Sequence, residues 1–149
     1  MNNMYLIGKL LAIYKNPYNH KTMNIPENLR YTREHEWVKI DGDSAIIGIT
    51  DYAQGELGDV IYVDITESLG KEVNQGDPVG SIEAVKTVSE VYIPMTGDIQ
   101  DINMDLQDKA SLLNTDPYGE GWIIKIKFSD LSQYDGLLDA NAYKELIGE

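Results

Sequence analysis

Lys86 is the residue of this 149-residue chain best placed to do chemistry. It lies between two β-branched stretches of similar length, Val79-Gly-Ser-Ile-Glu-Ala-Val85 and Thr87-Val-Ser-Glu-Val-Tyr-Ile93. If those stretches pair as a hairpin, Lys86 falls in or beside the turn, with its ammonium far from the sheet. Lysine is a poor turn former beside Asn, Asp or Gly, so its presence there calls for a reason. The pattern alone does not supply that reason, and an ordinary exposed loop lysine fits it as well. Glu36 sits in His35-Glu36-Trp37, and Glu90 stands four residues past the lysine.

Other chemistries are excluded by what the chain lacks. It has no cysteine, hence no disulfide, no thiolate metal site and no sulfur nucleophile of its own. Any sulfur chemistry must arrive with a cofactor. His35-Glu36 opens like a zinc-protease motif, but no second His follows at the required spacing, and His20 and His35 alone make no metal cluster. Asp41-Gly-Asp43 is too short for a calcium loop and reads as a hairpin turn. Gly119-Glu-Gly121 lacks the lysine of a phosphate loop, and no Ser-His-Asp arrangement is suggested. Trp37 and Trp122 are expected to anchor the core. No metal site and no catalytic site are read from the chain.

The elements that must position Lys86 are mostly strands. From Tyr31 the pattern turns to β, with an alternating stretch His35/Trp37/Lys39 against Glu36/Val38/Ile40, then the turn cluster Asp41-Gly-Asp-Ser44 and a returning strand over Ala45–Ile49. Thr50 is placed to cap a short helix, Asp51 to Leu57, that Gly58 ends. A strand follows over Asp59–Ile65, then a loop from Glu67 to Pro78, the two stretches flanking Lys86, the turn Pro94–Gly97 and a strand over Asp98–Asn103. A helix near Asp105–Leu113, the turn Asp116–Gly119, a strand over Trp122–Phe128 and two helical segments ending at Ile147 complete the pattern. Gly58-Asp-Val-Ile-Tyr-Val-Asp64 is weakly echoed by Gly97-Asp-Ile-Gln-Asp-Ile-Asn103. Many short strands with frequent turn signals predict a mainly β fold, a sandwich or flattened barrel with peripheral helices.

Length fits one domain. The formal charge is −13; residues 1–22 contribute +3 of it through Lys9, Lys15 and Lys21, which leaves −16 for residues 23–149. So negative a surface repels nucleic acid and anionic membranes, and it either keeps the protein dissolved or steers it toward basic docking faces. The apolar run Tyr5–Tyr14 is too short to span a bilayer and lacks the features of a signal peptide. Residues 1–22 are therefore expected to be an extension outside the fold, with Met23 a natural start and residues 23–149 the single domain.

Glu83-Ala-Val-Lys86-Thr-Val-Ser-Glu90 resembles the attachment hairpin of lipoyl domains, more narrowly that of the glycine cleavage H-protein family. The resemblance extends in order and spacing to Tyr31-Thr32, His35-Glu-Trp-Val38, Gly48-Ile-Thr-Asp-Tyr-Ala-Gln54, Leu57-Gly-Asp59, Asn114, Asp116-Pro-Tyr-Gly-Glu-Gly-Trp-Ile-Ile-Lys-Ile-Lys127, and Leu137-Leu-Asp-Ala140 with Tyr143. It covers about residues 24–147. Ala84 stands where the family often has Ser or Thr, and Ala110 where Pro is common.

The resemblance implies a barrel-sandwich hybrid of the lipoyl-domain type with short peripheral helices and a C-terminal helix. It implies lipoic acid joined to Lys86 by an amide, with Glu83, Ala84, Val85 and Thr87 as the context read by a lipoate-attaching enzyme. The implied role is a non-catalytic carrier. It would take the aminomethyl group of glycine from a pyridoxal-phosphate glycine decarboxylase to a tetrahydrofolate-dependent aminomethyltransferase, and dihydrolipoamide dehydrogenase would reoxidise it. The loaded arm carries a cationic amine, so Glu36 and Glu90 are candidates to shield it, against the alternative that they are ordinary solvated acids. The chain is expected to be a monomer of the bacterial cytoplasm, or of a mitochondrial matrix if its start is a presequence. Two rivals stay open. A relay protein of the same fold would hand lipoate to other enzymes. A biotin carrier usually has Met on both sides of the lysine, where this chain has Val85 and Thr87. A self-sufficient enzyme is the remaining class.

Overall fold

The computed structural model describes residues 23–149. The reading of residues 1–22 as an extension therefore falls outside the described residues. In chain order the elements are β1 (Arg30–Tyr31), β2 (Glu36–Asp41), β3 (Ser44–Ile49), α1 (Asp51–Leu57), β4 (Val60–Ile65), β5 (Glu72–Val73), β6 (Pro78–Ala84) and β7 (Val88–Tyr92). There follow β8 (Gly97–Ile102), α2 (Asp105–Asp108), α3 (Leu112–Thr115), β9 (Ile124–Phe128), α4 (Ser132–Asp135) and α5 (Ala140–Ile147). Six strands pair in the order β1-β2-β3-β9-β8-β5, and β4-β6-β7 form a smaller second sheet. Every named pairing is antiparallel.

The two sheets share one apolar layer. Ile47, Ile99, Ile124 and Ile126 of the large sheet pack in the same cluster as Val63, Ile82 and Val91 of the small one. Each fully buried side chain of this kind contributes about 2 kcal/mol by leaving water. A second cluster, Ile25, Leu29, Tyr31, Trp37, Ala140 and Tyr143, fastens α5 to the β1–β2 edge. This is the expected mainly β sandwich with peripheral helices. It is not a closed barrel, since each sheet keeps two edge strands. The weak sequence echo falls on β4 and β8, one in each sheet.

Local chemistry explains the connections. The β2–β3 hairpin turns in two residues between the paired Asp41 and Ser44, and Gly42 supplies the positive φ of 64° that this tight reversal requires. Thr50 Oγ1 accepts from the Ala53 N–H at 3.1 Å and caps α1. Gly48 lies opposite Trp37 in the β2–β3 register, and a Cβ there would fall 2.6 Å from the indole Nε1. Only glycine leaves room for that ring.

Three segments differ from expectation. The β pattern from Tyr31 holds two strands: β1 doubles back and pairs with β2, Tyr31 opposite Trp37, through a turn ending at His35. The alternating stretch is β2 itself, which is buried on both faces at its start, with Glu36, Trp37 and Val38 all inside. The loop 67–78 contains β5, which pairs with β8 and buries Val73; two residues are too few to show periodicity. The helix expected over Asp105–Leu113 is two single turns, because Lys109 leaves helical geometry at φ −133°. Leu106 and Leu113, one from each turn, both reach the core.

Candidate functional site

Lys86 occupies the apex of the β6–β7 hairpin. The strands run in register from Ser81 opposite Glu90 to Glu83 opposite Val88. The Ala84 N–H then donates to the Thr87 carbonyl at 2.9 Å, so Val85 and Lys86 are the two central residues of the turn. The Val85 N–H donates to the Asp59 carbonyl at 3.0 Å and ties the apex to the start of β4. Lys86 is exposed and belongs to none of the ion pairs found among the described residues. A turn held on both sides by backbone hydrogen bonds presents this amine on a rigid root. Ala84 is buried in the core cluster, so a hydroxyl at that position would point inward; its absence leaves the exposed part of the hairpin unchanged. Glu83, Val85 and Thr87 are all exposed.

Beside the hairpin lies a cavity of about 270 Å³. The small sheet lends Ile82, Ser89 and Glu90; the turn before β2 lends Glu34 and His35, and β2 lends Glu36; β3 and α1 lend Ile49, Tyr52, Ala53, Glu56 and Leu57. The structure thus brings the two predicted acids, Glu36 and Glu90, to one cavity, from strands in different sheets. Glu90 is four residues from Lys86, about 13 Å along an extended strand, which an acylated lysine spans and a bare one does not. The mouth is acidic and the far wall apolar. No lysine or arginine lines it.

Glu36 is no ordinary solvated acid. It is 2% exposed. Its Oε1 accepts from the Thr32 hydroxyl at 2.6 Å, while its own N–H donates back to that oxygen at 3.1 Å. Burial pushes its carboxyl up to about 7, with the neighbouring Glu34 charge adding to the effect; the Thr32 hydroxyl and the Tyr92 N–H oppose it. The side chain is therefore poised between acid and carboxylate near neutrality. Glu90, by contrast, is exposed at the rim.

His35, the residue before Glu36, is itself fixed. Its φ is 71°, a left-handed conformation uncommon outside glycine. Its Nδ1 hydrogen-bonds the Tyr143 hydroxyl at 2.8 Å, and that hydroxyl also meets Thr50 Oγ1 at 2.7 Å. The ring sits 4.9 Å from Tyr52, and Tyr143 stacks on Tyr31 at 4.7 Å. The C-terminal helix, the α1 cap and the cavity rim are thereby linked through one hydroxyl, that of Tyr143. Burial holds the His35 imidazole below its usual range, with Glu34 and Glu56 opposing.

Sequence reasoning did not single out Glu34, Tyr52, Glu56 or Ser89. Tyr52 and Glu56 are one helical turn apart, so the predicted helix already put them on one face. Which way that face looks depends on the other sheet. A further cavity of about 320 Å³ lies across Glu36, lined by Tyr31, Thr32, Tyr92, Ile93 and Leu137 among others. It opens two residues farther along β7 and so lies farther from the hairpin apex. Trp37 is buried, as expected of a core anchor, and its Nε1–H donates to the Pro117 carbonyl at 2.9 Å; Trp122 is only half-buried.

An amine at a rigid apex, beside an acidic-mouthed cavity with an apolar wall, fits a tethered acyl arm that ends in a cationic group. The profile described as "Glycine cleavage H-protein" matches residues 29–149. The chain is similar to the glycine cleavage system H protein of Staphylococcus haemolyticus, 50% identical over 127 residues that cover 85% of this chain and all of that one. It is similar to the protein of the same name from Bacteroides thetaiotaomicron, 50% identical over 125 residues, 84% of this chain and 98% of that one. The crystal structure of a glycine cleavage system H protein from Mycobacterium marinum superimposes with a TM-score of 0.74 at 34% identity, covering 84% of this chain and all of that one.

Proposed function

The chain belongs to the glycine cleavage H-protein family, and from that membership we propose that Lys86 carries the lipoyl group and that the cavity holding Glu36 and Glu90 shelters its loaded end. As a member of the family the protein is a carrier subunit of the glycine cleavage system, bearing lipoic acid on a lysine and not catalytic by itself. It works with the other components of that system.

The single observation that carries the assignment is the exposed Lys86 apex, within an acylated arm's length of a cavity that has four carboxylates and no cation in its wall. When bound, lipoic acid supplies a disulfide that accepts the aminomethyl group and the electrons of glycine cleavage. The hairpin fixes the root of the arm, so docking on a partner converts each encounter into an intramolecular one. Ile49, Ile82 and Leu57 offer the arm an apolar wall. Glu36 would meet an ammonium group there as a carboxylate. Burial pushes its carboxyl up to about 7, and a cation in the cavity would favour its carboxylate form. Glu90, Glu34 and Glu56 add negative potential at the mouth.

The specific partners in this reading are glycine decarboxylase, the aminomethyltransferase, dihydrolipoamide dehydrogenase and a lipoate-attaching enzyme. The acidic body suits basic docking faces on them. No helix among the described residues is long and apolar enough to cross a membrane. The reading places the protein in the cytoplasm as a monomer, with residues 1–22 outside the carrier fold.

Intact mass tests the assignment. Expression with lipoate should add one lipoyl increment, mapped by peptide sequencing to Lys86, with a further gain on reduction of the ring. Lys86→Ala should abolish the increment and leave the melting temperature within about a degree, because an exposed turn side chain contributes little to stability. A biotinyl increment, or an unmodified Lys86 in cells that make lipoate, would overturn it. A loaded protein that fails to stimulate glycine–CO2 exchange by glycine decarboxylase, yet passes lipoate to another acceptor, would mark it as a relay.

A further inference from the structure

His35 is the one residue in the wall of the arm cavity that can bring a positive charge to it, since the others lining it are neutral or acidic. Its hydrogen bonds fix which form it takes. Thr50 Oγ1 accepts from the Ala53 N–H, and it lies 2.7 Å from the Tyr143 hydroxyl, which lies 2.8 Å from His35 Nδ1. Thr50 and Tyr143 are both fully buried, at 0% exposure, so neither hydroxyl proton can go to bulk water. If Thr50 donates to the Tyr143 oxygen and Tyr143 donates to Nδ1, each proton has an acceptor. If Nδ1 instead carries a proton and donates to Tyr143, then Tyr143 must donate to Thr50. The Thr50 proton is then left without an acceptor among the described residues, and a buried orphan donor is costly. The chain therefore runs from Thr50 through Tyr143 to Nδ1 and leaves the ring's single proton on Nε2. No described residue hydrogen-bonds Nε2, and no enclosed polar side-chain atom lacks a partner, so that edge of the ring is open to solvent. The left-handed φ of 71°, which Gly or Asn takes more easily, is thus spent on a residue whose ring reaches α5.

We infer that Tyr143 is a positioning residue for the arm cavity: with Thr50 it holds His35 as the neutral Nε2–H tautomer, so that the wall sets no cation against an ammonium cargo. The inference rests on the shelter proposed above and adds the device that keeps its charge to one sign. The groups that face the imidazole are Glu34 beside it, Tyr52 and Glu56 of α1, Tyr143 of α5 and, lining the same cavity, Glu36 and Glu90. Left to themselves, these carboxylates would draw a proton onto the ring. Burial opposes them, and the hydroxyl chain acts in the same direction as burial, because an imidazolium needs the arrangement that orphans the Thr50 proton. A charged ring there would repel the ammonium end of the arm at short range, in the site where the acids attract it.

The tautomer is read first, by nitrogen NMR of the imidazoles in the full lipoylated chain. His20 is the other histidine, and His35→Asn, which tolerates the left-handed backbone, assigns the signals. At neutral pH the His35 proton should sit on Nε2; a proton on Nδ1 would overturn the inference without any variant. Tyr143→Phe keeps the ring that stacks on Tyr31 and removes the hydroxyl, and the titration midpoint of His35 should then rise by about half a unit to one unit. Retention is read on protein loaded with glycine by glycine decarboxylase and then freed of that enzyme. Intact mass follows the aminomethyl increment, whose loss to water releases formaldehyde and ammonium and returns the thiol. Relative to the unaltered chain, Tyr143→Phe should shorten the half-life about threefold at about pH 6 and hardly at all at about pH 8. Glu36 titrates in both proteins, so this ratio isolates the imidazole. In the His35→Asn background the ratio should no longer depend on pH. A ratio equal at both pH values would show Tyr143 to be merely structural and overturn the inference, as would a pH-dependent ratio that persists without His35. A chain that takes no lipoyl group overturns the attachment reading and this inference with it. A chain that loads normally while its tautomer or its ratio contradicts overturns the inference alone.

Discussion

Glu36 gives the residue scale its clearest prediction. Its carboxyl ionises near 4.5 in the unfolded chain and near 7 in the fold, since burial penalises the charge. Between those values the unfolded state has already released the proton that the folded state keeps. The stability due to this group is therefore fully present below about 4.5 and is lost as pH rises to about 7. Glu36→Gln removes that titration and keeps an acceptor for the Thr32 hydroxyl. The variant should gain on the unaltered chain by about 2 kcal/mol between pH 5 and pH 8, read from urea midpoints at the two pH values. A constant difference would mean that Glu36 does not titrate in this range. The residue name showed a carboxylate; its burial, and hence its proton, depends on the sheet above it.

At the scale of elements, the β2–β3 hairpin shows how a small residue sets a large one. Gly48 and Trp37 share a register position, and the indole is pinned by its hydrogen bond to Pro117. Gly48→Ala would drive a methyl group into a ring that cannot retreat, a loss of about 1–3 kcal/mol visible as a lower urea midpoint with altered tryptophan emission. An unchanged midpoint would show the ring to be mobile. The β6–β7 hairpin and α1 were legible in sequence, because turn chemistry and the Thr50 cap are local. The doubling back of β1, the strand β5 and the split between α2 and α3 were not. Each depends on partners far along the chain: β1 is bridged to Leu138, and β5 pairs with β8.

For the whole molecule, charge is the main lever. Residues 23–149 carry −16 of the total, and long-range attraction to a basic face weakens as salt shortens the Debye length. The KM for the loaded protein in glycine–CO2 exchange should therefore rise severalfold between about 0.02 M and 0.3 M salt while kcat changes little. A flat KM would show that docking is apolar or purely geometric. The assembly also explains the cavity. It exists because the small sheet lies across the turn before β2 and the face of α1, so one wall comes from each side of the sandwich.

What the sequence determined by itself was local. The alternation of strands, the turn residues, the helix cap and the lone lysine between matched strands are each dictated by neighbours within a few positions, and they gave the fold class and the attachment candidate. The tertiary structure alone decided where the carboxylates stand. Glu36 and Glu90 are 54 positions apart in sequence and belong to different sheets, yet they line one cavity. It also decided which apolar residues stay in water, because a bulge that reverses the facing of Ile61 appears only once β4 has a partner. Local sterics act along the chain, whereas burial and electrostatic environment are set by whatever folds against it.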